Sequence, residues 1–305
     1  DTQKVKPLVT VAVTTYRSAV YVIETLESVY GQTYQEIALV ISDDCSPDNT
    51  VALVNDWIAL ERVQNRFVSI EVITVPKNTG VSANCNRCIK AAGDDMIVEM
   101  FSNSPPYYMC KSGCSTGNKN AGQNNLKDDQ YTAFAEYLAE VCKHFEENWN
   151  VKVQSIDPMN EPYTNFWGAF SAKQEGCHFD IGNSESTILV ELKKSLAKRG
   201  LNDIIISASD ETSIDTQIEA YNALSADAKS VVGRIDTHTY GGSKRSQLKD
   251  TAIKAGKNLW MSEVDGKGTA GVNAGGMGAG LWLAQRITTD CNDLNASRSE
   301  ERRVG

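Results

Sequence analysis

No run of apolar residues in this chain approaches the length of a membrane-spanning helix, which needs about 20 residues. No stretch shows the charged, apolar and small-residue order of a secretory leader, and the first residue is not Met, so the N-terminus is expected to be cut or processed. Lysine and arginine nowhere gather into a phosphate-neutralising patch, and the formal charge of −9 is spread along the chain; nucleic acid is therefore not an expected partner. The cysteines, at 45, 85, 88, 110, 114, 142, 177 and 291, match no paired zinc spacing and are too thinly spread for a disulfide scaffold. Cys85-Asn-Arg-Cys88 is a lone CxxC on an expected helix. Cys110 and Cys114 share a loop with Gly113 and could bridge to each other or to Cys177, or remain free thiols. The chain also lacks any internal repeat.

What is present is 305 residues, 41% hydrophobic and 23% charged, enough to bury a substantial core in one large or two ordinary domains. Short β-branched runs at 8–14, 37–42 and 68–75 alternate with amphipathic stretches at 19–30, 51–63 and 82–92. Their unbroken apolar character is that of parallel strands covered on both faces. The alternation continues with a run at 96–102, a loop rich in Ser, Gly, Asn and Pro, and a helix at 129–148 whose Phe134, Tyr137, Leu138, Val141, Cys142 and Phe145 share one face. Strands at 151–156, 203–207, 231–238 and 258–262 then alternate with helices at 187–198, 214–224, 244–255 and 273–289.

Four motifs mark the first part: Val11-Ala-Val-Thr-Thr-Tyr16, Leu26-Glu-Ser-Val-Tyr-Gly-Gln-Thr33, Ile41-Ser-Asp-Asp-Cys-Ser-Pro-Asp-Asn-Thr50 and Asn78-Thr-Gly-Val-Ser-Ala-Asn-Cys-Asn-Arg87. Carboxylates at strand C-termini line the crevice of an open α/β sheet, and a helix N-terminus favours phosphate. In this order the motifs resemble the N-terminal part of family 2 glycosyltransferases, enzymes of the GT-A fold. The resemblance implies that Thr15 and Asp43 contact the uridine of a sugar nucleotide, that Asp44 supports the site, and that Asn78, Gly80 and Arg87 lie near the diphosphate. The alternative from the residues alone is that Asp43 and Asp44 cap the following turn and helix. The family departs from this chain at Thr14, where it usually has Pro, and at Cys45, where it usually has Gly. The metal-holding Asp-x-Asp motif it places after a fourth strand is replaced by Met100-Phe-Ser-Asn-Ser-Pro-Pro106, and Asp94-Asp95 precedes that strand.

The second part carries Glu99-Met-Phe-Ser-Asn-Ser-Pro-Pro-Tyr-Tyr-Met109, Asn124-Asn-Leu126, Asp157-Pro-Met-Asn-Glu-Pro162, Asp236-Thr-His-Thr-Tyr240 and Leu259-Trp-Met-Ser-Glu-Val264. Retaining hydrolysis of a glycosidic bond needs two carboxyl groups roughly 5 to 5.5 Å apart, one to protonate the leaving oxygen and one to attack the anomeric carbon. Two strand C-termini of one parallel barrel can supply that pair. These motifs resemble family 30 glycoside hydrolases of the endo-β-galactanase-like branch. The resemblance implies Glu161 as acid/base, Glu263 as nucleophile, and Asn160, beside the acid, on the sugar 2-hydroxyl. It also implies that His238 and Tyr240 line the cleft, Tyr240 holding Glu263, and that Asn103 contacts substrate. Trp167, Tyr163, Tyr107 and Tyr108 fall in loops where rings can stack on sugars, whereas Trp149, Trp260 and Trp282 fit the core. Asp210 and Glu211 follow a strand and either bind hydroxyls or cap the next helix.

The resulting expectation is an α/β chain in which a partial GT-A, Rossmann-like lobe at 8–93 is joined near residues 91–96 to an incomplete (β/α)8 TIM-barrel glycosidase portion at 94–292. An unstructured, non-native tail follows at 293–305. The leading function is retaining hydrolysis of a β-linked polysaccharide such as galactan, with no metal and no cofactor. Nucleotide-sugar-dependent transfer with Mn or Mg is the alternative, and an inactive chimera a third. A polysaccharide or oligosaccharide is the expected partner. Secretion or a periplasmic location would suit the hydrolase part and a cytoplasmic one the transferase part; oligomeric state is not legible.

Overall fold

The structure, a computed structural model, describes residues 8–92, 98–264, 277–296 and 298–299. The chain divides into two compact units, Asp1–Ile97 with Phe145–Lys152, and Val98–His144 with Val153–Gly305. The expected junction at 91–96 and the Asp94-Asp95 pair lie largely or wholly outside the described residues.

The first unit contains β1 (Val9–Thr15), α1 (Val22–Tyr30), β2 (Ile37–Asp43), α2 (Thr50–Ile58), α3 (Glu61–Gln64), β3 (Ser69–Thr74) and α4 (Val81–Ala92). Its sheet is parallel in the order β1-β2-β3, with Thr15 opposite Asp43 and Asp43 opposite Thr74. Every residue of the central strand β2 is buried, as its unbroken apolar run implies. Leu26, Leu39, Ile41, Val54, Trp57, Val63 and Phe67 form the core. One helix was expected over 51–63, but the chain turns extended at Leu60, with ψ 129°, and restarts as α3. The break leaves Leu60 exposed and rotates Val63 into the core. No Gly or Pro announces it, so packing overrides local helix preference here.

The second unit contains β4 (Val98–Phe101), α5 (Tyr131–Trp149), β5 (Val153–Asp157), α6 (Asn183–Lys198), β6 (Ile205–Ser213), α7 (Ile214–Ala223), α8 (Ala226–Val231), β7 (Val232–Gly241), α9 (Arg245–Ala255), β8 (Asn258–Glu263), α10 (Met277–Thr289) and β9 (Arg298–Ser299). Part of α5 falls in the first unit's residue range. The sheet is parallel throughout, in the order β4-β5-β6-β7-β8-β9. It curls as part of a barrel; among the described residues its two edge strands do not pair to close it. Helix α7 starts at a Ser213 cap whose hydroxyl accepts the Thr216 N–H, and α9 ends at a left-handed Gly256, φ 64°, a position that suits glycine.

Of the expected unstructured tail at 293–305, the described residues 293–296 and 298–299 take part in the fold. Leu294 is buried, and Arg298–Ser299 pairs with Trp260 and Met261 of β8. Asp290 anchors the approach to this strand: Thr239 Oγ1 donates to its carboxylate at 2.8 Å and Arg245 Nε at 2.9 Å. A charged sequence hides such pairing because the edge of β8 supplies backbone partners to whatever segment reaches it.

The inner face of the curled sheet is polar. Arg234 on β7 pairs with Glu99 on β4 and with Asp236, the latter at 2.6 Å from Nε and 2.8 Å from Nη2. Ser155 and Ser207 each donate to Glu99 at 3.0 Å, and the guanidinium lies 3.4 Å from the centroid of Trp260. Trp260 thus sits in the interior, while Trp149 and Trp282 are only half-buried.

Candidate active site

Register shifts in β6 and β7 aim the side chains of the site. Pairing between β6 and β7 slips between Ser209 and Glu211, and pairing between β7 and β8 slips between Thr237 and His238. A bulge of this kind re-aims side chains next to functional sites. Asp210, at the skipped position, takes a left-handed backbone with φ 60°. His238 comes to stand opposite Glu263, the last residue of β8.

Glu161 lies in the loop after β5 with φ 46°, an uncommon conformation for a side chain of its kind. Its peptide is held on both sides: its N–H donates to the Asp210 carbonyl at 2.9 Å, and its carbonyl accepts the Trp167 indole N–H at 2.9 Å. Glu161 Oε1 lies 3.1 Å from His238 Nδ1. The other ring nitrogen lies 3.2 Å from Asp210 Oδ1, near enough for charge pairing though poorly aligned for a hydrogen bond. Tyr240 Oη donates to Glu263 Oε1 at 3.0 Å, and the Tyr240 and His238 rings meet edge-on at 5.7 Å. Glu161, His238, Tyr240 and Glu263 therefore form one connected cluster.

Burial alone would lower the His238 pKa, but the charge of Asp210, the bond to Glu161 and the charge of Glu263 overcome it and raise it to about 10. The ring is thus a cation at neutral pH. Asp157, wholly buried at the end of β5, is pushed well above the carboxylate range by burial and then by Asp210, Asp236 and Glu99, which leaves it a neutral acid.

Asn160 is 1% exposed, and neither atom of its amide has a partner among the described residues. Asn103 Oδ1 is likewise buried and unpartnered. Buried amides are normally hydrogen-bonded, so both are suited to meet a polar ligand.

Three expectations need correction. Trp167 is 2% exposed and supports Glu161 from below; it offers no face for stacking on a sugar. Gly176 makes room for it, since a Cβ there would lie 2.1 Å from the indole. Glu211 is fully buried and accepts the Tyr163 N–H at 3.3 Å, so it does not reach a bound hydroxyl. Asp210 is not a helix cap, a role taken by Ser213; it serves His238 and receives the Ser262 hydroxyl. Nothing in the sequence pattern distinguishes a buried loop tryptophan from an exposed one. Tyr107, Tyr108 and Tyr163 do remain exposed. All described cysteines, including Cys110, Cys114 and Cys177, are free thiols.

In the first unit, Thr15 Oγ1 donates to Asp43 Oδ1 at 2.8 Å, and Ser46 donates to Asp43 through its N–H and hydroxyl. Burial works against the Asp44 charge, but Thr79, Arg87 and the Gly80 N–H surround the carboxylate and hold its pKa down to about 2. Asn78 donates to the Asp44 carbonyl at 3.1 Å. A pocket of about 460 Å3 opens here, lined by Thr15, Tyr16, Asp44, Asn78, Gly80 and Asn84 among others.

Residues 10–100 match the family model of glycosyl transferase family 2, and residues 85–231 that of O-glycosyl hydrolase family 30. An endo-β-1,6-galactanase of Hypocrea rufa is 36% identical over 191 residues, covering 61% of this chain and 39% of that protein. An exo-β-1,6-galactobiohydrolase of Bifidobacterium longum subsp. longum is 28% identical over 240 residues, 65% of this chain and 16% of that one. A putative teichuronic acid biosynthesis glycosyltransferase of Bacillus subtilis is 30% identical over 87 residues, 28% of this chain and 32% of that one. The chain thus spans well under half the length of each of these relatives. Among solved structures, a glycoside hydrolase family 30 subfamily 8 xylanase from Clostridium acetobutylicum superposes with a TM-score of 0.57 at 16% identity, covering 96% of this chain and 62% of that one. The chain therefore joins a segment similar to family 2 glycosyl transferases to a longer segment similar to family 30 O-glycosyl hydrolases.

Proposed function

We propose that the second unit is a retaining glycoside hydrolase acting on a β-1,6-linked galactan. The observation that carries this reading is the His238 bridge: one side chain touches Glu161 and stands in register opposite Glu263, whose carboxylate takes the Tyr240 hydroxyl. Two glutamates of separate strands so joined suit acid/base and nucleophile roles. Two relatives, both named for β-1,6-galactan bonds, support this choice of substrate.

In this reading Glu161 Oε1 accepts from the His238 cation, which leaves Oε2 to carry the proton for the leaving oxygen. The Glu263 carboxylate, steadied by Tyr240, attacks the anomeric carbon as the glycosidic bond breaks and forms the glycosyl-enzyme; water then displaces Glu263 from that carbon while Glu161 takes the proton of the water. Asn160 offers its unpartnered amide to the sugar 2-hydroxyl, and the exposed Tyr107, Tyr108 and Tyr163 offer rings to further sugar units. The chemistry needs no metal or cofactor. The test is release of reducing ends from β-1,6-galactan with proton NMR of the first-formed anomer. A β-anomer, abolished by Glu263→Ala, supports the reading; an α-anomer, or unchanged release by the variant, removes it.

A second reading is favoured by the first unit's pocket, which gathers Thr15, Asp44, Asn78 and Gly80: binding of a uridine nucleotide. The described carboxylates do not fit a divalent cation there, because Asp44 is taken up by Thr79, Gly80 and Arg87 and Asp43 by Thr15 and Ser46. Calorimetry with UDP in the absence of metal tests the pocket, with Asn84→Leu as the expected loss.

A further inference from the structure

Two buried acidic residues have no role in the chemistry above. Glu185, in the first turn of α6, and Glu211, on β6, are each 0% exposed; Glu185 Oε1 has no hydrogen-bond partner among the described residues, and the two carboxyl groups lie near enough to act on one another. Two carboxylates in contact cannot both stay ionised in a buried site, whereas a proton between them converts repulsion into a hydrogen bond.

Few groups face the pair. From β6, Ser209 Oγ donates to Glu185 Oε2 at 3.3 Å. From the loop after β5, the Tyr163 N–H lies 3.3 Å from both oxygens of Glu211. From α7, Gln217 Oε1 accepts the Glu211 N–H at 3.0 Å, and Gln217 Nε2 donates to the Ala208 carbonyl. From β7, the His238 cation acts on Glu211 through its charge. Tyr163 lies two residues beyond Glu161, and Asp210, next to Glu211, accepts the Glu161 N–H. Glu161 holds a left-handed backbone, φ 46°, a conformation that persists only where its surroundings enforce it.

We propose that Glu185 and Glu211 share one proton and act as a positioning pair for Glu161, clamping its loop at Tyr163 while the adjoining Asp210 holds the Glu161 peptide. The catalytic consequence rests on the hydrolase reading; the clamp itself does not. Burial, eased by Ser209 and by Glu211, pushes the Glu185 carboxyl up to about 8. The shared proton therefore stays in place at neutral pH and leaves in mildly alkaline solution, when repulsion between the two carboxylates pushes Glu211 away from the loop.

The test uses the full chain with glutamate side chains carbon-13 labelled, alongside E185Q, E211Q and E211A. One carboxyl is expected to titrate near pH 8 and to vanish from the spectrum of E185Q. Exchange of the Tyr163 amide should quicken about tenfold or more in E211A and return toward the parent rate in E211Q, whose amide oxygen still accepts that N–H. On β-1,6-galactan, kcat should fall about tenfold in E211A with KM little changed, and recover in E211Q. A parent chain whose glutamates all titrate below pH 6, or an E211A variant with unchanged Tyr163 exchange, overturns the proposal. A parent chain that shows the titration and the amide protection but cleaves no galactan supports the clamp and removes the hydrolase reading instead.

Discussion

His238 Nδ1 lies 3.1 Å from Glu161 Oε1 while the residue itself stands directly opposite Glu263 on the neighbouring strand. A single imidazolium thus bonds a carboxylate of the loop after β5 and acts through its charge on that of β8, and the charge of Asp210 on its far side keeps the ring protonated.

The His238 pKa rises from an ordinary value of about 6.5 to about 10 in the folded chain. A cation favoured by folding stabilises fully below about pH 6.5, and that stabilisation is lost as pH climbs through about 10. The melting temperature should therefore fall between pH 8 and 10. In His238→Gln the fall should be shallower, as scanning calorimetry across buffers would show; an identical slope in the variant would assign the effect elsewhere.

Trp167 donates to the Glu161 carbonyl at 2.9 Å. Trp167→Phe keeps most of the ring but loses this bond, so kcat should drop about tenfold with KM nearly unchanged. Were Trp167 a sugar-stacking residue, KM would rise instead. Gly176→Ala forces a Cβ to within 2.1 Å of the same indole and should cost about 1–3 kcal/mol in denaturant unfolding.

Glu161→Gln should slow galactan hydrolysis by about 10²–10⁴-fold. An aryl galactoside with a good leaving group needs no proton for bond cleavage, so its first step should be far less affected. Stopped-flow measurement of phenolate release separates the two substrates, and equal losses on both would contradict the acid role.

Arg234 pairs with Glu99 and Asp236 inside the curled sheet. Arg234→Met leaves the buried Asp236 and the half-buried Glu99 without their cation, at a cost of about 3 kcal/mol. Adding Glu99→Gln and Asp236→Asn should recover part of this loss in urea titrations.

Much of the site is legible in the chain. Asn160-Glu161, His238-Thr-Tyr240 and Glu263 close or follow apolar runs, and parallel strands deliver their C-terminal residues to one rim; the short β-branched runs locate those strands within a few residues. The break at Leu60, the β6 and β7 register shifts, and β9 are not legible. Each depends on which partner a segment meets, and residue spacing carries no record of that partner.

Residue order alone thus settles the alternation of strands and helices and the kind of chemistry available, because periodicity and side-chain type are local properties. Burial of Trp167 and Glu211, the turn of Asp210 toward His238, and the proton shared by Glu185 and Glu211 arise only once the chain is packed. Desolvation and close charges are set by neighbours far apart in sequence, and these give similar acidic residues different surroundings and different proton affinities.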